Sequence, residues 1–281
     1  MARLRRFDHE TRPARPVASP LPVPGAILDG VERVEIEGVQ PTPEQLLDVT
    51  SAYGHFTAMQ VRGGKTRGLD LHMERLASSN REAFDADLDP DRIRSLIRHA
   101  LAGSDDASVR VYIHRGDDTP VTVVTVRRPA EMASPLRLRS ASYIRPDPHI
   151  KHVHTDQGLY REAAQHAGFD DAVLTTPDGR MSETTMANIG FFDETGVIWP
   201  DAPMLNGITK QLLERQAADA GISMRERPVR VTEVDALAGA FVSSARGVGL
   251  VSRVNDVDLE TPQTRVDELI AAYASVPWDE I

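Results

Sequence analysis

The sequence predicts a mixed α/β (α+β) protein built in two parts. Runs of β-branched residues alternate with amphipathic stretches of helical spacing, Pro146 and Pro148 stiffen a connector near the middle, and 281 residues suffice for one full core or two of ordinary size. The expected boundaries are an Arg/Pro-rich loose tail at 1–24, a smaller N-terminal α/β domain at 25–140, a connector at 141–145 and a larger C-terminal domain at 146–281.

In the first part, residues 58–61 read as a strand entering a turn at Gly63-Gly64. Residues 71–84 and 91–101 carry helical spacing, the second with Ile93, Leu96 and Ile97 on one stripe. Residues 108–114 and 120–126 are β-branched runs around Gly116-Asp117-Asp118, a hairpin signal, and 136–144 reads as a further strand. In the second part, a helix at 158–167 is closed by Gly168. Strands at 172–175 and 181–185 flank the turn Pro177-Asp178-Gly179, and strands at 189–193 and 197–199 flank Glu194-Thr195-Gly196. A helix at 207–220 ends at Gly221, and Thr232 reads as an N-cap. Strands at 241–244 and 250–254 precede a last helix at 262–274.

Composition excludes several function classes. A formal net charge of −10 argues against a nucleic-acid or anionic-membrane partner. The absence of cysteine removes disulfides, thiolate catalysis and Cys-based metal sites. No apolar run reaches membrane-spanning length and the first residues lack a secretory pattern, so the cytoplasm is the expected location. His149, His152 and His154 fit no metal-ligand spacing, and no metal is expected.

Only three of the 32 basic residues are lysine: Lys65, Lys151 and Lys210. Arginine stays protonated and cannot serve as an amine nucleophile, so side-chain covalent amine catalysis has three candidates. Other segments that could carry chemistry are His72-x-x-Arg75-Leu76, Glu183 followed by Asn188, Leu205-x-Gly207-Ile208-Thr209 at a helix start, and Phe241-Val242-Ser243-Ser244 at a strand end. A helix N-terminus offers free N–H groups to an anion. Taken singly, each segment also fits a plain cap, a loop exit or a solvated face.

Taken in order, with Gly168-Phe169-Asp170-Asp171-Ala172 and a gap of 32 residues between Lys151 and Glu183, they resemble the class IV (fold type IV) pyridoxal-phosphate aminotransferases. That family includes branched-chain and D-amino-acid aminotransferases and aminodeoxychorismate lyase. The resemblance runs from about residue 28 to 260. It implies two α/β domains with pyridoxal 5′-phosphate in the cleft between them, and a homodimer. It also implies a ping-pong exchange of an amino group between an amino acid and a 2-oxo acid. Lys151 would hold the cofactor as a Schiff base and shuttle the proton, and Glu183 would face the pyridine nitrogen. Arg75, Asn188, Ile208, Thr209 and Ser244 would complete the cofactor site, with Arg75, the 208–209 N–H groups and the Thr209 hydroxyl on the phosphate.

The sequence also departs from the family pattern. Asp156 and Gln157 stand where a tyrosine is usual, with Tyr160 too late to match. Thr57 stands for an acid, Thr184 for a glycine, Lys210 for an arginine and Ala245 for a hydroxyl residue. A lyase of the aminodeoxychorismate lyase type and a non-catalytic cofactor-binding relative are therefore the alternatives. Arg62, Arg110 and Arg246 are the candidates for the substrate carboxylate.

Overall fold

A computed structural model describes residues 30–281 apart from His154. The tail expected at 1–24 lies outside the described residues, as does His154.

The first sheet is antiparallel throughout. Its order is β1 (Val31–Ile36), β5 (Val121–Arg127), β4 (Ala107–His114) and β2 (Gly54–Val61). The expected hairpin is β4–β5, with Ser108 opposite Arg127 and His114 opposite Val121. Side chains alternate along each strand. Met59, Val61, Val109, Val111 and Val124 enter a core closed by Leu76 of α2 (Leu69–Phe84) and by Ile93 and Ile97 of α3 (Pro90–Leu101). The opposite face carries Phe56, Arg110 and Tyr112.

The strand β1 and the helix that follows it were not foreseen individually. The helix α1 (Pro43–Ser51) begins with a capping box in which the Thr42 hydroxyl accepts from the Gln45 N–H, and Pro43 occupies the first turn. The strand β2 starts at Gly54, four residues before the expected 58.

The second sheet has nine strands: β6 (Leu136–Ser142), β7 (Asp171–Thr175), β8 (Met181–Thr184), β9 (Asn188–Asp193), β10 (Gly196–Pro200), β11 (Met224–Arg227), β12 (Gly239–Ser244), β13 (Gly247–Val254) and β14 (Val257–Asp258). Because β8 also pairs with β9, the path β9-β12-β13-β6-β7-β8 closes on itself. Leu138, Val173, Met181, Phe191, Val242 and Val251 fill one core of this part. Phe192, Trp199 and Phe241 form another with Leu213 of α5 (Ile208–Ala217) and Leu269 of α6 (Gln263–Ala274). β6 is paired within this large sheet, so the chain crosses between sheets in residues 128–135, ahead of the proline connector.

α4 (Gln157–His166) ends as expected: Gly168 sits at φ 84°, a conformation glycine adopts without steric penalty, and the Phe169 N–H reaches the Ala164 carbonyl. The helix expected to start with a Thr232 cap is instead a 3₁₀ turn at Val231–Ala236, where the Glu233 side chain accepts from the Arg230 N–H. β11 was missed because Met-Arg-Glu-Arg carries almost no apolar signal at a sheet edge.

Residues 275–281 strap the two halves together. The Arg67 guanidinium lies 3.9 Å over Trp278 and donates to the carbonyls of Ala274 and Val276. β15 (Asp279–Glu280) pairs with β3 (Lys65–Thr66). Gly68, in the cap position of α2, has no side chain, and the Asp279 carboxylate accepts the Leu69 N–H at 2.9 Å in its place. Ile281 is buried in the small-sheet core.

Candidate active site

Lys151 lies in an extended segment between β6 and α4, laid against the start of β2. Its carbonyl accepts the Phe56 N–H at 2.9 Å, and the Val153 N–H donates to the Gly54 carbonyl at 2.9 Å. The amine sits 4.9 Å from the centre of the Phe56 ring. Burial first, then the nearby Arg75 guanidinium, pushes its pKa from 10.5 down to about 7; Glu183 opposes this, while Arg145 and Arg110 add to it. The other lysines are committed elsewhere. Lys65 pairs with Glu280 at 2.5 Å, and Lys210 with Glu214 at 2.6 Å and Glu226 at 3.2 Å.

Glu183 is buried on β8. Its Oε1 accepts from Arg145 Nε at 2.8 Å and its Oε2 from the Leu205 N–H at 3.3 Å. Asn188, paired with Glu183 across the β8–β9 register, donates from Nδ2 to the Leu205 carbonyl at 2.8 Å. The two side chains thus hold both polar groups of Leu205 and fix the loop leading into α5. Arg145 escaped the sequence reading. It also donates to the carbonyls of Ile150 (2.8 Å) and Pro148, tying the lysine segment to the acid.

The α5 N-terminus lies on this loop. Its first-turn N–H groups, Ile208 and Thr209 among them, have no intrahelical acceptor. Arg75 reaches over from α2 and donates to the Asn206 carbonyl at 2.7 Å; burial first, then Arg145, lowers its pKa to about 10. The Thr209 hydroxyl donates to the Ser244 carbonyl at 2.7 Å. This bond ties the start of α5 to the end of β12. Ser244 Oγ accepts the Arg246 N–H at 3.2 Å. The neighbouring Ser243 hydroxyl is buried without a protein partner.

Direct bonds link Glu183 and Asn188 to the 205–207 loop, Arg75 to the same loop, and Thr209 to Ser244. Lys151 joins them through Arg145, which grips the carbonyl next to it. Thr57, in the place of the family's acid, contacts buried His72 Nδ1 at 2.6 Å, and burial pushes that imidazole down to about 3. Tyr160 stacks on Tyr143 with ring centres 4.7 Å apart. Of the arginine candidates, Arg62 is engaged at its own strand end, donating to Val61 O and Gln60 Oε1. Arg110 lies on the open face of β4 and donates to the Tyr112 hydroxyl at 3.3 Å, and Arg246 follows the end of β12. No cluster of three metal-ligating side chains occurs among the described residues, nor any helix long and apolar enough to cross a membrane.

The profile of the class IV amino-transferases matches residues 54–254. A "Probable branched-chain-amino-acid aminotransferase" of Rickettsia felis is 29% identical over 110 residues, covering 38% of this chain and 37% of that protein. One of the same name from Synechocystis is 26% identical over 130 residues, covering 45% and 43%. The matched segments thus span less than half of these curated relatives. The Escherichia coli branched-chain amino acid aminotransferase structure superposes with a TM-score of 0.75 at 16% identity over 88% of this chain and 95% of that one. A Legionella pneumophila structure named as a 4-amino-4-deoxychorismate lyase superposes with a TM-score of 0.72 at 19% identity over 80% and 92%. The architecture is that of fold type IV. The chain belongs to the class IV aminotransferase family, whose cofactor is pyridoxal 5′-phosphate.

Proposed function

We propose that this chain is an aminotransferase that moves an amino group between an amino acid and a 2-oxo acid in a ping-pong cycle, with Lys151 as its catalytic base. The observation that carries the reading is the buried Lys151 amine beneath the Phe56 ring, whose pKa burial and then the Arg75 guanidinium push down to about 7 while Glu183 opposes the shift.

The residues present fit the cofactor. Arg75 and the first-turn N–H groups of Ile208 and Thr209 form a cationic cup for its phosphate, with Ser244 on the rim. Gly207, at the edge of that cup, packs against Asn188, whose carboxamide a β-carbon there would strike. Glu183 would face the ring nitrogen, with Asn188 fixing the loop beside it. When bound, pyridoxal phosphate supplies an electron sink that acidifies the substrate Cα–H.

The protein residues do the rest. The neutral Lys151 amine takes a proton at Nζ and returns it, which its lowered pKa allows near pH 7. The Nε–H···O bond from Arg145 orients the Glu183 carboxylate. The Phe56 ring covers the amine and limits access of water. We place the protein in the cytoplasm and as a homodimer; sedimentation of the purified chain tests the dimer, and fractionation of the cells that make it tests the location.

The likeness to the Legionella chain favours one second reading, a lyase. With donor alone, an aminotransferase shows a single-turnover change in the cofactor's visible band and then stops until a 2-oxo acid is added. Continuous turnover without acceptor would select the lyase. A chain that takes up no cofactor, or whose band persists in Lys151→Ala, would end both readings.

A further inference from the structure

The short ladder that holds the lysine segment on β2 carries a pair of buried histidines. His55 and His152 face each other as an antiparallel bridge. The bonds from the Phe56 N–H to the Lys151 carbonyl and from the Val153 N–H to the Gly54 carbonyl flank them, each 2.9 Å long. Theirs is therefore the non-hydrogen-bonded register, which brings opposed side chains closest. Side chains alternate along a strand, so Phe56 and Lys151 share one face while His55, with Thr57 and Met59, turns to the face covered by α2. Aromatic rings enclose the pair. His55 lies 5.6 Å from Phe84 and His152 5.4 Å from Tyr53, whose ring meets Phe84 edge-on at 5.9 Å.

A neutral imidazole has one N–H to give and one lone pair to fill, and buried polar groups ordinarily find partners. Among the described residues neither nitrogen of His55 nor of His152 has a hydrogen-bond partner, and both residues are buried. Asn80 of α2 adds to this set. Its Nδ2 donates to the Ala86 carbonyl at 2.6 Å, and its Oδ1 is buried without a hydrogen bond. Apolar residues of similar volume would fill such a place at lower cost. What the histidines add is a response to protons.

Charged and titratable groups reach the pair from each element around it. The lysine segment supplies Asp147, 3.7 Å from His152 Nε2, together with Arg145 and His149. α2 supplies Glu82, which His149 already holds at 2.8 Å. His114 ends β4, and Arg115 after it lies over the Phe84 ring. Burial first pushes the His55 imidazole down to about 4; the Asn80 amide opposes this, while His152 and His114 add to it. Burial first also lowers His152; Asp147 opposes, Arg145 and His149 add, and Glu82 opposes. A proton on His55 thus meets a second imidazole rather than a carboxylate.

We propose that His55 and His152 are positioning residues for Lys151 and form an acid-sensitive latch: while both are neutral the ladder clamps the lysine segment to β2, and a proton on either ring opens it. That Lys151 is the catalytic base rests on the aminotransferase reading; the latch itself does not. The direction follows from linkage. In an opened ladder a histidine titrates near its ordinary 6.5, whereas in the closed one it resists the proton, so opening is favoured as pH falls below that value. For one such ring the gain at pH 5 is about tenfold.

The test is residue-resolved hydrogen exchange of the cofactor-free chain at pH 7, 6 and 5, each rate divided by the intrinsic rate at that pH. Protection of the Phe56 and Val153 amides should fall about tenfold between pH 7 and pH 5, while amides of the β4–β5 ladder keep theirs. The fall should persist in Lys151→Met, which lacks the amine's own proton. It should shrink to about twofold or less in His55→Gln combined with His152→Gln. Should that variant not fold, proton NMR of the unaltered chain decides, since His55 should titrate below pH 5 and a titration near 6.5 would overturn the latch. Constant protection, a loss shared by the β4–β5 ladder, or a loss unmoved by the substitutions would overturn it too. Amino transfer by a chain whose ladder ignores pH sinks the latch alone. An acid-opened ladder in a chain that takes up no cofactor sinks the aminotransferase reading and leaves the latch standing.

Discussion

Asn188 Oδ1 rests against the α-carbon of Gly207, where a β-carbon on Gly207 would lie well inside contact distance. The backbone at Gly207 is φ −64° and ψ 139°, open to any residue, so the requirement for glycine is one of space. Gly207→Ala should therefore displace the Asn188 amide from the Leu205 carbonyl and weaken cofactor binding. In a cycle with Asn188→Ala, the two substitutions should couple by about 0.5–3 kcal/mol. Strict additivity of the cofactor dissociation constants would contradict the contact.

Arg145 and Glu183 are both almost fully buried, and their bond is 2.8 Å long. Removing one partner strands the other's charge in the interior, which costs about 3–5 kcal/mol. Arg145→Met should show that loss as a lowered urea midpoint. The pair Arg145→Met, Glu183→Gln should recover part of it while staying inactive. A single substitution that leaves the midpoint unmoved would show the pair to be dispensable.

The Lys151 amine sets a pH dependence whose sign is fixed. Its pKa is 10.5 when solvated and about 7 in the folded chain. Between those values the unfolded chain carries a proton that the folded chain lacks, so this contribution to stability grows with pH and is lost as pH falls toward 7. Cofactor-free protein should gain stability relative to Lys151→Met between pH 7 and pH 10. Urea midpoints at three pH values measure this, and a constant difference would refute it.

Asp279 caps the helix that carries Arg75. Asp279→Ala should cost about 0.5–2 kcal/mol of stability. It should also weaken cofactor binding, because α2 loses its fixed start. Free phosphate should then compete less well against the cofactor-binding step than in the parent protein. A stability loss with unchanged cofactor and phosphate affinity would confine Asp279 to folding.

Much of this site was legible in the sequence because its pieces are local. Gly207-Ile208-Thr209 opens a helix, Glu183 and Asn188 face each other across one short turn, and Lys151 stands out in a lysine-poor chain. Arg145 was not legible. Its contact with Glu183 spans 38 positions and exists only because the chain leaving β6 turns back toward β8, which lies one strand away across β7. The contact of the Thr209 hydroxyl with the Ser244 carbonyl, 35 positions away, was likewise out of reach of the sequence. Among the elements, β11 and the 3₁₀ turn at 231–236 were lost because charged edge segments and short turns carry no apolar period.

The backbone ladder between residues 151–153 and β2 has a mechanical outcome. The base is stitched to the small sheet, whereas the acid at 183 grows out of the large one. Any hinge that widened the gap between the sheets would drag the two groups apart and disarm both. Residues 275–281 buckle across the same seam, so two separate chain segments resist its widening.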